Sequence, residues 1–153
     1  TVNITLADVI SIDQSASKAA GGVVNFNYAT AEDYDSDQSV NVPTSLVVTS
    51  TTNFDVSVKA GGSSFLKGSD EIPVNVLTIK PVSGGSTTMT SGTLRNVELS
   101  TQDQVLVENT NLGSKKVLEL EYFIPASKSS SPAILGKPEG TYTQTVTYTA
   151  TAQ

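Results

Sequence analysis

From Thr141 to Thr151 every second residue is threonine, and Tyr142, Gln144, Val146, Tyr148 and Ala150 fill the positions between. A period of two puts the two sets on opposite faces of an extended strand, whereas a helix, turning about 100° per residue, scatters both around its surface. Threonine, branched at Cβ, is also at ease on a pleated surface. The segment therefore predicts a strand with one face towards a core and a threonine face towards water.

The same alternation recurs along the chain. Val2, Ile4 and Leu6 alternate with polar residues, and Ile10 and Ile12 keep their parity past Asp8, which predicts a long first strand broken near Asp8. Further strands are expected at Val23 to Tyr28, around Val40, Val42 and Leu46-Val47-Val48, and at Phe54, Val56 and Val58. Ile72, Val74 and Val76 share one face before Leu77 and Ile79 change parity, the pattern of a bulge or of a doubly buried strand. Leu94 to Leu99, Gln104 to Glu108 and Lys116 to Ile124 complete the set. Turn residues separate these runs at Gly21-Gly22, Gly61-Gly62, Gly68-Ser69-Asp70, Ser83-Gly84-Gly85, Asn109-Thr110-Asn111 and Pro138-Glu139-Gly140. No stretch of about a dozen residues keeps a helical period, and Ser131 to Leu135 offers one turn at most. Short strands at this spacing predict one all-β domain, residues 1–153, built as an immunoglobulin-like antiparallel β-sandwich.

Composition supports a folded domain and narrows its partners. With 37% hydrophobic and 16% charged residues the chain can bury a core, yet no run approaches the roughly 20 apolar residues a spanning helix requires, so no membrane insertion is expected. A formal charge of −6 repels phosphate backbones, so nucleic acid is not an expected partner. Cysteine is absent, and no disulfide or thiolate metal site contributes. The polar positions favour Ser, Thr, Asn and Gly over Lys, Glu and Arg, as in exported bacterial β-proteins. A start at Thr1-Val2 also fits removal of a signal peptide, so a secreted, cell-surface location is expected.

Candidate chemistry is sparse. The chain has no histidine, which removes Ser-His and Cys-His catalysis and the commonest neutral metal ligand, and no enzymatic activity is expected. Glu98, Asp103 and Glu108 read as solubilising charge on strand edges. Asp33, Asp35 and Asp37 alternate as at the opening of a calcium loop, but Gln38 stands where an EF-hand places glycine and Thr44 where it places the bidentate glutamate. A solvated acidic loop is the preferred reading of that segment, and no cofactor is expected. Tyr28 and Tyr34 are aromatic residues of the kind that stack on sugars, but without tryptophan a core-edge role is favoured.

The ending Gly140-Thr141-Tyr142-Thr143-Gln144-Thr145-Val146-Thr147-Tyr148-Thr149-Ala150 follows a loop bearing Ile124-Pro125-Ala126 and Gly136-Lys137-Pro138-Glu139-Gly140. It resembles the final strand of secreted Gram-negative β-sandwich surface subunits, the fimbrial pilins and spore coat U-type domains. The resemblance covers roughly the last thirty residues, and the chain lacks the cysteine pair of disulfide-bonded pilins. It implies a structural subunit of a fimbria-like pilus or filament, joined head to tail to identical subunits by donor-strand exchange. Residues 1–12 have the form of a donor, with Val2, Ile4, Leu6, Ile10 and Ile12 as the pocket-filling side chains, and residues 13–22 that of a flexible connector. Alternation alone leaves open whether this strand pairs within its own domain, and a monomeric, adhesin-like binding module for cell adhesion is the second reading.

Overall fold

The computed structural model describes residues 1–18 and 22–153, and it is mostly strand, 44% against 8% helix, with antiparallel pairing, so the fold class is all-β. Eleven strands follow one another: β1 Ile10–Ile12, β2 Gln38–Ser50, β3 Phe54–Ala60, β4 Ser64–Lys67, β5 Asp70–Pro73, β6 Thr78–Pro81, β7 Thr93–Leu94, β8 Val97–Glu98, β9 Gln104–Thr110, β10 Gly113–Ile124 and β11 Val146–Ala152. Among the described residues two single-turn helices, α1 Ala31–Tyr34 and α2 Ala126–Ser129, and a 3₁₀ turn at Val74–Val76 accompany these strands. One sheet has the order β1-β2-β10-β6-β8, a second β11-β3-β9-β7, and β4 and β5 form a separate hairpin.

Both main sheets contribute to one apolar core. Leu46, Val48, Ile79, Leu118 and Leu120 enter it from the five-stranded sheet, and Phe54, Val56, Val58, Leu106 and Val107 from the four-stranded sheet, all fully buried. In β3 the alternation is complete, with Phe54, Val56, Val58 and Ala60 buried and the residues between them half-buried. The parity predicted for the last strand holds, with Tyr148 buried, Val146 and Ala150 half-buried and Thr147, Thr149 and Thr151 exposed, but the strand begins only at Val146, and before it Thr143 makes an isolated bridge to Leu66. Tyr148 meets Tyr122 of β10 hydroxyl to hydroxyl, a polar link between the two sheets inside the core. Burial pushes both phenol pKa values up.

Three expectations need correction. Residues 1–9 are not a strand, and β1 begins only at Ile10. Val23 to Tyr28 is not one either: Val24, Phe26 and Tyr28 pack against the core, but no backbone hydrogen bond from Gly22 to Tyr28 appears among the described residues. Leu94 to Leu99 divides between sheets, Leu94 pairing with Val107 on β9 and Val97 with Ile79 on β6, because the chain crosses from one layer to the other at Arg95-Asn96. The parity change after Val76 is a 3₁₀ turn that buries both Val74 and Val76.

The bulge that shapes the core's rim lies in β2. Leu46 pairs with Leu118 and Val42 with Leu120, so Pro43-Thr44-Ser45 oppose Glu119 alone. Proline is tolerated there because the ladder is already interrupted. The Glu119 carboxylate accepts from Asn41 Nδ2 at 2.9 Å, from the Ser86 backbone N–H at 2.9 Å and from Ser86 Oγ at 3.0 Å. The Ser86 N–H, first among these, holds its pKa below the usual glutamate range. Gly85 makes the approach possible, since its φ is +57° and a Cβ there would stand 2.5 Å from Glu119 Oε1.

Candidate functional site

The structure divides the five candidate pocket-filling residues, Val2, Ile4, Leu6, Ile10 and Ile12, into two groups. Ile10 and Ile12 are half-buried against the core, and β1 pairs antiparallel with the end of β2, Ile10 opposite Ser50 and Ile12 opposite Val48. Thr51 clamps the preceding residue: its N–H donates to the Val9 carbonyl at 2.8 Å, and its Oγ1 accepts from the Val9 N–H at 2.9 Å. Before Val9 the chain leaves the fold. Val2, Ile4 and Leu6 are 89%, 83% and 87% exposed, and residues 1–8 make no hydrogen bond or ion pair among the described residues.

This arrangement has a simple local cause. β2 ends at Ser50, and Thr51-Thr52-Asn53 carry the chain across to β3 in the other sheet. A strand running antiparallel to β2 therefore has no neighbour for any residue that precedes Val9. Asp8 lies in this exposed stretch, two residues before the pairing begins.

After β1 the chain continues along the same side of β2. The Asp13 side chain accepts from the Ser15 hydroxyl at 2.9 Å and the Ser15 and Ala16 N–H groups at 3.1 and 3.2 Å, closing a turn and lowering its own pKa. Asp13 N–H donates to the Val47 carbonyl at 2.8 Å, and Val47 N–H donates to the buried Ser17 Oγ at 2.8 Å. The expected connector thus begins with a turn fastened to β2, and its Ala19-Ala20-Gly21 lie outside the described residues.

At the far end, the Tyr28 hydroxyl shares a hydrogen bond of 2.8 Å with Ser129 Oγ of α2, just beyond Ile124, the residue of β10 that pairs with Gln38. Gly22 to Tyr28 therefore belongs to the stretch between Ser17, bonded at the Val47 end of β2, and α2, where Tyr28 is bonded. Val24, Phe26 and Tyr28 pack against the core and Val23 is exposed, and the segment makes no ladder bond among the described residues. From Gln38 to Leu46, β2 has β10 on one side and no backbone hydrogen-bond partner on the other among the described residues. The inward residues beneath, Val40 and Val42, are only half-buried, in contrast to fully buried Leu46 and Val48.

The acidic segment serves local structure. Asp33 Oδ2 accepts from the backbone N–H groups of Ala29 at 2.8 Å and Thr30 at 2.9 Å, while Asp33 N–H donates to Thr30 Oγ1, a reciprocal cap on α1. These bonds lower the Asp33 pKa, that from Ala29 most. Asp37 Oδ1 accepts from the Ala126 N–H at 2.7 Å, joining this loop to α2. Asp33 and Asp37 thus turn to different backbone donors, with no shared centre including Asp35, and no group of three or more acidic side chains suited to a metal ion occurs among the described residues. The Tyr28 and Tyr34 rings lie 5.0 Å apart between centroids, tilted by 33° and half-buried.

The other carboxylates considered for chemistry are exposed. Glu108 pairs with Arg95, and Glu98 lies 3.2 Å from Lys128 Nζ. A solvent-open depression of about 480 Å³ lies beside Asp55, Arg95 and Glu108, and the Asp55 carboxylate there accepts from Asn109 N–H at 2.7 Å.

Family models, curated proteins and solved structures all return no match to this chain.

The alternation of Val2, Ile4 and Leu6 was legible in the sequence, but their exposure was not. The bare edge of β2 had no sequence signal at all, because Val24, Phe26 and Tyr28 carry the same pattern as a paired strand.

Proposed function

We propose that the chain is a structural subunit of an extracellular bacterial filament, built as an immunoglobulin-like sandwich and assembled head to tail from identical copies through donation of the amino-terminal strand. The observation that carries the reading is the exposure of Val2, Ile4 and Leu6, 83–89% each, immediately before a strand anchored in its own sheet. An alternating apolar segment without a core of its own has the form of a β-addition ligand: its backbone offers ladder hydrogen bonds and its alternate side chains fill pockets. Three aliphatic residues left in water at period two are costly to a chain that remains alone. The donor under this reading is residues 1–8, shorter than residues 1–12, because Ile10 and Ile12 serve the subunit's own sheet.

Electron microscopy and sedimentation over a concentration series test this. The full chain is expected to form filaments, and a chain lacking residues 1–8 to stay a folded monomer with unchanged circular dichroism. Uniformly monomeric particles of the full chain at every concentration would sink the filament reading and favour a monomeric binding module.

A further inference from the structure

We propose that Gly22–Tyr28 is a placeholder for the donated strand: residues 1–7 of a second copy displace it and pair with the bare Gln38–Leu46 edge of β2. This rests on the strand-donation reading above and adds to it the acceptor, the register and a step that must precede joining.

Three observations converge on this edge. The first is the mismatch within the segment itself. Val24, Phe26 and Tyr28 alternate inward like a strand, yet no residue from Gly22 to Tyr28 makes a backbone-to-backbone hydrogen bond among the described residues. It packs against the core, while Gln38–Leu46 has no strand partner besides β10 among the described residues, Pro43 lacking an N–H and its carbonyl accepting from Ser86 Oγ. A strand that supplied both side chains and ladder bonds would hold that edge better.

The second is spacing. Val2, Ile4 and Leu6 repeat the i, i+2, i+4 pattern of Val24, Phe26 and Tyr28. In register the triplets superpose as Val2 on Val24, Ile4 on Phe26 and Leu6 on Tyr28, so at about 3.3 Å per residue Thr1–Ala7 spans about 23 Å, the length of Val23–Ala29.

The third is polarity. Within one subunit β1 runs antiparallel to β2, and the stretch holding Gly22–Tyr28 leads from Ser17, bonded at the Val47 end of β2, to Tyr28, bonded to α2 beyond the Gln38 end. Residues 1–8 leave past the Ser50 end of β2. A second copy stacked there by translation presents its Gln38 end first. The donated chain then lies with residue 7 near Gln38 and residue 1 near Leu46, antiparallel to β2, with the polarity of the segment it replaces. The contact repeats from copy to copy without closing on itself.

The test uses a full-length Ile4→Asp chain as acceptor, since an exposed charge at position 4 blocks donation without touching the fold. The probe is a synthetic peptide of residues 1–9, with the same peptide carrying Ile4→Asp as control. Amide hydrogen exchange is followed by mass spectrometry, and chymotryptic cleavage after Phe26 and Tyr28 is followed in parallel. The expected result is slower exchange across Gln38–Leu46 together with severalfold faster cleavage after Phe26, both absent with the control peptide. Peptide binding that slows exchange on Val146–Ala152 and leaves Phe26 cleavage unchanged overturns the placeholder while leaving strand donation standing. A peptide without effect on either readout, added to a protein whose unmodified form makes no filaments, overturns both.

A second variant separates displacement from mere cover. Phe26→Ser in the otherwise unaltered chain weakens the placeholder and is expected to speed filament growth severalfold. Growth at the original rate or slower, in a protein that still folds, overturns the displacement step.

Discussion

Replacing Ile4 by alanine separates two roles that an apolar side chain can have. In the isolated subunit Ile4 is 83% exposed, so the change removes almost no buried surface and should alter folding stability by less than about 0.5 kcal/mol, the usual range for a surface site. Seated in a neighbour, the same side chain passes from water to an apolar pocket, and truncating a fully buried isoleucine to alanine costs about 2–5 kcal/mol. At about 1.4 kcal/mol per factor of ten, that is a loss of roughly 30-fold to several-thousand-fold in subunit affinity. The assay is the critical concentration for filament formation by light scattering, with the melting temperature measured on the same samples. Ile12→Ala is the matched comparison: Ile12 is half-buried on β1 in its own subunit and should lower the melting temperature. An Ile4→Ala protein that melts several degrees lower, or that polymerises at the original concentration, refutes the assignment of Ile4 to the interface between copies.

Other outcomes follow from the core and its rim. Tyr122→Phe leaves the buried Tyr148 hydroxyl without its partner and should cost about 1–3 kcal/mol in urea unfolding, whereas the Tyr122→Phe, Tyr148→Phe double variant should cost less than the two single changes combined. Glu119, Asp33 and Asp13 have folded pKa values below their ordinary ones, so the unfolded chain binds protons more readily. Their stabilising contribution is therefore present above the ordinary carboxylate range and is lost as pH falls through the lowered values, and denaturant midpoints should drop below about pH 4. Glu119→Gln should flatten that acid limb, and an unchanged slope would contradict the role given to the Asn41 and Ser86 bonds. Gly85→Ala places a methyl group against the Glu119 carboxylate at a positive φ and should lower the melting temperature more than Gly84→Ala, whose Cβ meets nothing within 4 Å.

Alternation proved a reliable guide to which face of the chain meets the core. It fell short where pairing depends on a distant backbone. The threonine and apolar faces of β11 and the complete in-and-out pattern of β3 follow from residues two apart, information carried entirely within each segment. The β4-β5 hairpin escaped notice, although the turn at Gly68-Ser69-Asp70 was visible, because strands of four residues such as Ser64–Lys67 are too short for a period to register. The calcium-like spacing of Asp33, Asp35 and Asp37 was equally local, but the N–H groups of Ala29, Thr30 and Ala126 engage two of the three.

Val2-Ile4-Leu6 and Val24-Phe26-Tyr28 state the remaining division most plainly. By itself the sequence determined that each triplet shows one apolar face, since parity follows from covalent geometry and the pleat. The tertiary structure alone decided that the first triplet stands in water and the second is half-buried. The physical reason is that β2 ends at Ser50, before the first triplet, whereas the second packs against the core without a backbone partner among the described residues. Ladder hydrogen bonds require a second backbone about 4.8 Å away, and no pattern within one strand records whether that neighbour is there.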